Sequence, residues 1–283
     1  MRTGRIAAAA VVGAGVVAAT ALARALRGVE APAAGDIRSF LALPLDERER
    51  RPVVAALGAS IVRGRASVDF VRMLREELPD LAFVNGGANG RVAWELLSAM
   101  DDVMACHPSA AIILVGTNDV EATLDPDGGQ GVQQAKGLPE APSIDFYGEC
   151  LTGIVDRLHD GGARVAVCSL PPLGQDLGDM ANQRTHEFNR VIAVVCESRR
   201  ATYLPVNERM ADMLRHHGAD AEHPFTGSWR PGLESLLWHF VGRQSFDDIS
   251  RRQGMLLSPD GVHLNTMGAQ VVADLAAEFL AAG

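Results

Sequence analysis

The chain has 283 residues, 47% of them apolar and 22% charged; this ordinary globular balance allows a large core and excludes a disordered or fibrous chain. The formal net charge is −9, from 26 basic against 35 acidic residues, which argues against a protein built to coat nucleic acid. One large domain is the simplest organisation at this length.

The first segment stands apart. Ile6 to Ala23 form an uncharged Ala/Val-rich run, preceded by Arg2 and Arg5 and followed by Arg24 and Arg27. Residues 1–23 read as a signal peptide or an N-terminal membrane anchor, with Ala21-Leu22-Ala23 offering an A-x-A cleavage site. That would place the protein outside the cell or on the outer face of the cytoplasmic membrane. Within the run, Gly13-Ala14-Gly15-Val16-Val17-Ala18 matches the dinucleotide fingerprint G-x-G-x-x-A. The fingerprint needs a strand before it, a helix after it and an acidic residue at a strand end; Asp36, the acidic residue near the right distance, lies in a Pro/Ala/Gly-rich stretch, so the match is set aside. Residues 24–51 read as a linker ending in the solvated charge run Asp46-Glu47-Arg48-Glu49-Arg50-Arg51. The folded domain then spans 52–283.

From Pro52 the pattern is regular. Short apolar runs at Val53–Leu57, Leu81–Val84, Ala110–Val115, Arg164–Ser169 and Ala201–Pro205 read as buried parallel strands. Between and after them lie helical stripes: Val92 to Met104, Tyr147 to Leu158, Phe188 to Val195 and Met267 to Phe279. Asp125–Pro142, rich in Gly, Gln and Pro, reads as a long loop. Within 220–254, Leu233, Leu236, Leu237, Phe240 and Val241 form a further helical stripe. It is either an ordinary core helix or, because it leads to the C-terminal motif below, the wall of a substrate pocket or a membrane contact. The alternation predicts an α/β fold, a three-layer α/β/α sandwich with a central, mainly parallel five-stranded sheet. In such folds, sites lie at the carboxyl ends of strands.

Four strand-end or loop motifs carry chemistry. Gly58-Ala59-Ser60 follows the first strand; a serine there is either a helix N-cap or a nucleophile. It is not the G-x-S-x-G elbow, because Val62 stands where the second Gly should be. Asn85-Gly86-Gly87-Ala88-Asn89-Gly90 follows the second strand, either as a tight loop or as a backbone that brings N–H groups to a ligand. Gly116-Thr117-Asn118-Asp119 follows the third, its amide able to donate to an anionic oxygen or to cap a turn. Near the C-terminus, Asp260-Gly261-Val262-His263 puts a carboxylate and an imidazole three residues apart, within reach of one another. A carboxylate on Nδ1–H fixes the tautomer and leaves Nε2 as a base; otherwise Pro259-Asp260-Gly261 is a surface turn.

Together and in this order the four blocks resemble those of the SGNH hydrolases, the GDSL family of esterases and lipases, from about Val53 to Ala282. Ala59 stands where the family's short name has Asp. The resemblance implies a flavodoxin-like SGNH hydrolase fold, with Ser60 as nucleophile, His263 as base and Asp260 as its orienter. It also implies an oxyanion hole of the Ser60 and Gly90 N–H groups and the Asn118 amide. The implied reaction is serine ester hydrolysis through an acyl-enzyme, with no cofactor and no metal. The substrate is expected to be a small-molecule or lipid ester, in lipase or lysophospholipase manner. A carbohydrate O-acetyl esterase, an acyltransferase on the same residues, or a non-catalytic binding protein of the same fold are the alternatives. Contact with a membrane surface is expected of the lipid reading, and the sequence leaves the oligomeric state open. A histidine base predicts that activity falls below roughly pH 6. His216, His217 and His223 lack the Cys or HExxH company of a metal site. Cys106, Cys150, Cys168 and Cys196 are widely spaced and read as buried free thiols.

Overall fold

The computed structural model describes residues 19–219 and 223–282. Its centre is a five-stranded sheet of β1 (Val53–Gly58), β2 (Ala82–Gly87), β3 (Ala110–Leu114), β4 (Arg164–Cys168) and β5 (Thr202–Leu204). The order is β2-β1-β3-β4-β5 and every pairing is parallel. Every residue of β1 and β3 is buried, as expected of central strands covered on both faces. Helices Ala93–Ser98, Ile144–Asp160 and Met180–Arg199 pack together in one layer; Phe70–Glu77, Val206–His216 and Thr266–Ala281 form the other. The strand order reverses between β1 and β3, the topological position at which open α/β sheets open a crevice for ligands.

The five strands and the three-layer sandwich agree with the sequence reading, within a residue or two at most strand ends. The segments outside the sheet differ more. The expected long loop 125–142 carries a helix, Pro126–Lys136, packed on helix Thr117–Leu124. Its Gly/Gln-rich sequence has no apolar period; the Lys136 ammonium ties it to Glu95 at 2.7 Å. The expected 92–104 helix is two, Ala93–Ser98 and Met100–Met104.

Residues 24–51, expected as a linker, are folded onto the domain. A helix over 19–30 buries Ala25 and Val29. Arg63 donates to the Glu30 carbonyl (2.5 Å) and Arg75 to the Ala34 carbonyl (2.7 Å), and the Asn85 N–H donates to Gly35 O (2.8 Å). Asp36 caps helix Ile37–Leu41, and Phe40 of that helix is buried against Val53, Val84 and Cys106. The reason is satisfaction of backbone carbonyls by arginines on the domain, together with small buried side chains, Ala25 and Val29 one turn apart on the helix and Ala33 beyond its end, hidden in an Ala-rich stretch. The charge run Asp46–Arg51 is exposed except at the half-buried Arg48, and its first part belongs to the short helix Leu45–Arg48. Most of Ile6–Ala23, and all of Gly13–Ala18, lie outside the described residues. Among the described residues no helix is long and apolar enough to cross a membrane. All four cysteines are buried and free; burial pushes the Cys168 thiol up to about 12.

Candidate active site

Ser60 is the first residue of the short helix Ser60–Arg63, directly after β1. The cap position belongs to Ala59, so the Ser60 hydroxyl is not the helix cap. It lies 2.9 Å from His263 Nε2. His263 Nδ1 is 2.8 Å from Asp260 Oδ2. A carboxylate only accepts, so Nδ1 carries the proton and Nε2 presents its lone pair to the serine O–H. Asp260 Oδ1 accepts the N–H groups of Val262 (3.0 Å) and His263 (2.9 Å). The carboxylate is thus held by the backbone of the loop that carries its own partner.

The electrostatics follow from burial and pairing. Burial alone would raise the Asp260 carboxyl, but the His263 ring and the backbone donors hold it below its usual range. Burial alone would lower the His263 imidazolium, yet the Asp260 carboxylate, with help from Glu121, holds it above its ordinary 6.5. The pair favours an ionised acid and a more basic imidazole than water would give.

The loop after β2 is tied down at several points. Asn85 Nδ2 donates to Val62 O (2.7 Å) and Asn85 Oδ1 accepts the Gly87 N–H (2.9 Å). Gly90 has φ +65 with open space where a Cβ would stand, a backbone region that glycine adopts at little steric cost. The loop after β3 grips the same segment. Asn118 Nδ2 donates to Arg91 O (3.0 Å), and both Asp119 oxygens accept the Ala93 N–H (3.1 and 3.2 Å). One hydrogen of the Asn118 amide is used there, leaving the other for a ligand. Gly116 makes this turn possible with φ +133, and a Cβ on it would stand 2.9 Å from the Tyr147 ring. The His263 loop is fixed separately: Ser67 Oγ accepts the Leu264 N–H (2.9 Å), and Val68 N–H donates to Leu264 O (2.8 Å).

Ser60, Gly90, Asn118, Asp260 and His263 all line one cavity of about 670 Å³. Every residue that the sequence reading singled out for chemistry is therefore brought together. Much of the remaining wall is apolar, from Val29, Phe225, Trp229, Leu236, Met255 and Val262. Helix Arg230–Phe240 stands outside the main core, with only Ser235 buried. Its expected stripe does not act as one face: Leu236 lines the cavity, while Phe240 packs where Gly28 of helix 19–30 would carry a Cβ and lies under the Arg65 guanidinium. The sequence reading missed Glu121, which shares the cavity; the signal was its position three residues after Asn118 on helix Thr117–Leu124, one turn along the same face. It missed the bracing roles of Asn85, Ser67 and Asp119, which only the tertiary contacts display. His216 and His217 each donate Nδ1–H to a carbonyl one turn back, and His223 lines the cavity. Among the described residues no three His, Cys, Asp or Glu side chains are grouped to hold a metal ion.

Comparison with known proteins identifies the family and the fold. The family model of the GDSL-like lipase/acylhydrolase family matches residues 56–271. Among solved structures, the chain is similar to the acetyl xylan esterase AlAXEase at 15% identity and a TM-score of 0.59, covering 81% of this chain and 99% of that one. It is similar to Axe2, an acetylxylan esterase from Geobacillus stearothermophilus, at 16% identity and a TM-score of 0.56, covering 80% and 93%. It is also similar to LAE5, an alpha/beta hydrolase from the metagenome of Lake Arreo, at 17% identity and a TM-score of 0.54, covering 82% and 94%. At these identities the likeness is one of fold. No curated protein matches the chain.

Proposed function

The chain belongs to the GDSL-like lipase/acylhydrolase family and hydrolyses ester bonds, and on that premise we propose that Ser60 is its nucleophile, His263 the general base and Asp260 the residue that orients it. The observation that carries this is the unbroken relay from Asp260 Oδ2 through the imidazole to Ser60 Oγ, at 2.8 and 2.9 Å. A serine hydroxyl attacks poorly until a base takes its proton. His263 takes it as Oγ bonds to the ester carbonyl carbon, and Asp260 stabilises the imidazolium that forms. Negative charge then collects on the carbonyl oxygen, where the N–H groups of Ser60 and Gly90 and the free hydrogen of the Asn118 amide serve as fixed donors. His263 returns its proton to the departing alcohol, and water, activated by the same imidazole, clears the acyl-enzyme.

The acyl chain is the finer part of the proposal. The apolar wall of Val29, Phe225, Leu236, Met255 and Val262 favours an acyl group longer than acetyl. The acetylxylan esterases of the same fold make an O-acetyl esterase the second reading. Residues 1–23 would export the chain or hold it at the outer face of the cytoplasmic membrane, a reading supported by the apolar run between arginines. The deciding measurement is kcat/KM on p-nitrophenyl esters from acetate to decanoate, with Ser60→Ala alongside. A maximum near octanoate, abolished in Ser60→Ala, is expected. A maximum at acetate would favour the second reading, and a variant retaining more than a few per cent of the rate would remove Ser60 from the nucleophile's role.

A further inference from the structure

The cavity beside Ser60 has a one-sided charge. Its ionisable lining consists of the carboxylates Glu30, Glu121 and Asp260 and the histidines His223 and His263; no Lys or Arg is among the described lining residues. The three carboxylates are not equivalent. Asp260 is spent on His263 at 2.8 Å, and its side chain is only 3% exposed. Glu30 reaches Arg63 at 3.6 Å, with its side chain 63% exposed, and accepts from Asn89 Nδ2 at 3.0 Å. Glu121 has neither arrangement. It is half-buried, it faces the cavity from helix Thr117–Leu124 one turn beyond Asn118, and the charges it meets most strongly are those of His263 and Asp260. It makes no bond and carries no proton in the hydrolytic steps, although its charge helps to hold the His263 imidazolium.

We propose that Glu121 sets charge selectivity: the cavity accepts esters that are neutral or cationic near the scissile bond and rejects those carrying a carboxylate or phosphate there. This deepens the reading of Ser60 as nucleophile and rests on it. The physical reason is that an anionic group entering the cavity loses water and gains no Lys or Arg partner, while facing the Glu121 carboxylate; burial raises that carboxyl from its ordinary value and the His263 ring opposes the rise, so the test is run at pH 8. A cationic group is relieved of part of that cost by Glu121, and the exposed aromatic face of Trp229 on the same wall adds a cation–π site. The substrate class that fits is an ester of a neutral or cationic compound, with any phosphate well removed from the reacting carbonyl.

The test compares three p-nitrophenyl esters of similar length: butyrate, the monoester of glutarate, and 4-(trimethylammonio)butyrate, at pH 8 and low salt. The full chain should hydrolyse the neutral and cationic esters with kcat/KM about tenfold or more above the anionic one, a ratio that shrinks at high salt. Glu121→Gln should bring the anionic-to-neutral ratio to within about threefold of unity, whatever it does to the absolute rates, and Glu121→Asp should keep most of the discrimination. A general disturbance of the fold would lower all three rates together and leave the ratio alone. Equal rates on the three esters in the unaltered protein, or a ratio that Glu121→Gln leaves in place, would overturn the inference. Ser60→Ala measured in parallel keeps the two questions apart: rates on all three esters that survive it refute the nucleophile assignment, and the inference that rests on it, independently of the charge ratio.

Discussion

Asp119 offers a direct test of how the site is held together. Its side chain is buried and accepts the Ala93 N–H with both oxygens, and burial pushes its carboxyl up from an ordinary 3.8 to about 7. In the unfolded chain the same carboxyl ionises near 3.8, so between these values the folded state holds a proton that the unfolded state has released. Stability must then fall as pH rises from 3.8 toward 7. At about 1.4 kcal/mol per pH unit, the folded state bears about 2 kcal/mol from this group at pH 5.5 and about 4 kcal/mol at pH 8. Asp119→Asn keeps an oxygen for the Ala93 N–H and removes the charge. Its new NH₂ group costs about 1–3 kcal/mol if it finds no acceptor, but equally at both pH values. The difference in melting temperature, variant minus unaltered protein, should therefore be more favourable at pH 8 than at pH 5.5 by about 5 °C, taking about 2–3 °C per kcal/mol for a chain of this size. Thermal unfolding at the two pH values measures it. A difference that is the same at both, or larger at pH 5.5, would show that Asp119 is not a carboxyl raised by burial.

The other predictions concern chemistry. Asn118→Ala should lower kcat by ~10²–10³ with KM changed only a few-fold, since it removes a donor to the oxyanion; initial rates on a p-nitrophenyl ester measure it, and an unchanged kcat would take Asn118 out of the hole. The acid limb of kcat/KM should lie above pH 6.5 rather than near pH 6, because His263 must be neutral to act and its partners hold its imidazolium above the ordinary value; a midpoint below 6 would contradict this. Leu236→Ala should cut the rate on octanoate more than on acetate, whereas Phe240→Ala should lower the melting temperature and leave that ratio alone; the reverse pattern would mean that Phe240, not Leu236, contacts the acyl chain.

Much of this molecule was readable from its residues, and what was not has a common cause. The strands were legible because both faces of a parallel sheet are covered, so each strand is a short apolar run. The reacting groups were legible because each follows a sheet strand or sits in a compact turn, where Gly58-Ala59-Ser60 or Asp260-Gly261-Val262-His263 is a local pattern. What stayed hidden depends on partners far along the chain. Residues 24–51 look like a linker because their anchors are Arg63, Arg75 and Asn85, none of them adjacent. Helix Pro126–Lys136 has no period of its own and is held by its neighbours. The stripe at 233–241 marked the helix Arg230–Phe240 but not its partners: spacing could not tell that Leu236 faces the cavity and Phe240 faces helix 19–30.

The site also explains why two adjacent polar residues, Asn118 and Asp119, stand at the end of β3. Ser60 and His263 are 203 residues apart and need 2.9 Å between their reacting atoms. Each is therefore fixed by its own loop: Ser60 by β1 and the short helix it opens, His263 by the Asp260 carboxylate and by Ser67. The loop carrying Gly90 has no strand beyond Gly87 to fix it. Asn118 and Asp119 provide that restraint from the far side of β1, holding Arg91 O and Ala93 N–H on either side of Val92. A hydrogen-bonded restraint of this kind must be buried to be stiff, and burial is what makes the Asp119 carboxylate costly. The stability that Asp119→Asn is expected to recover at pH 8 is thus the counterpart of a preorganised loop. The same variant should lose rate at the pH where it recovers stability, as expected when a costly buried carboxylate holds a catalytic loop in place.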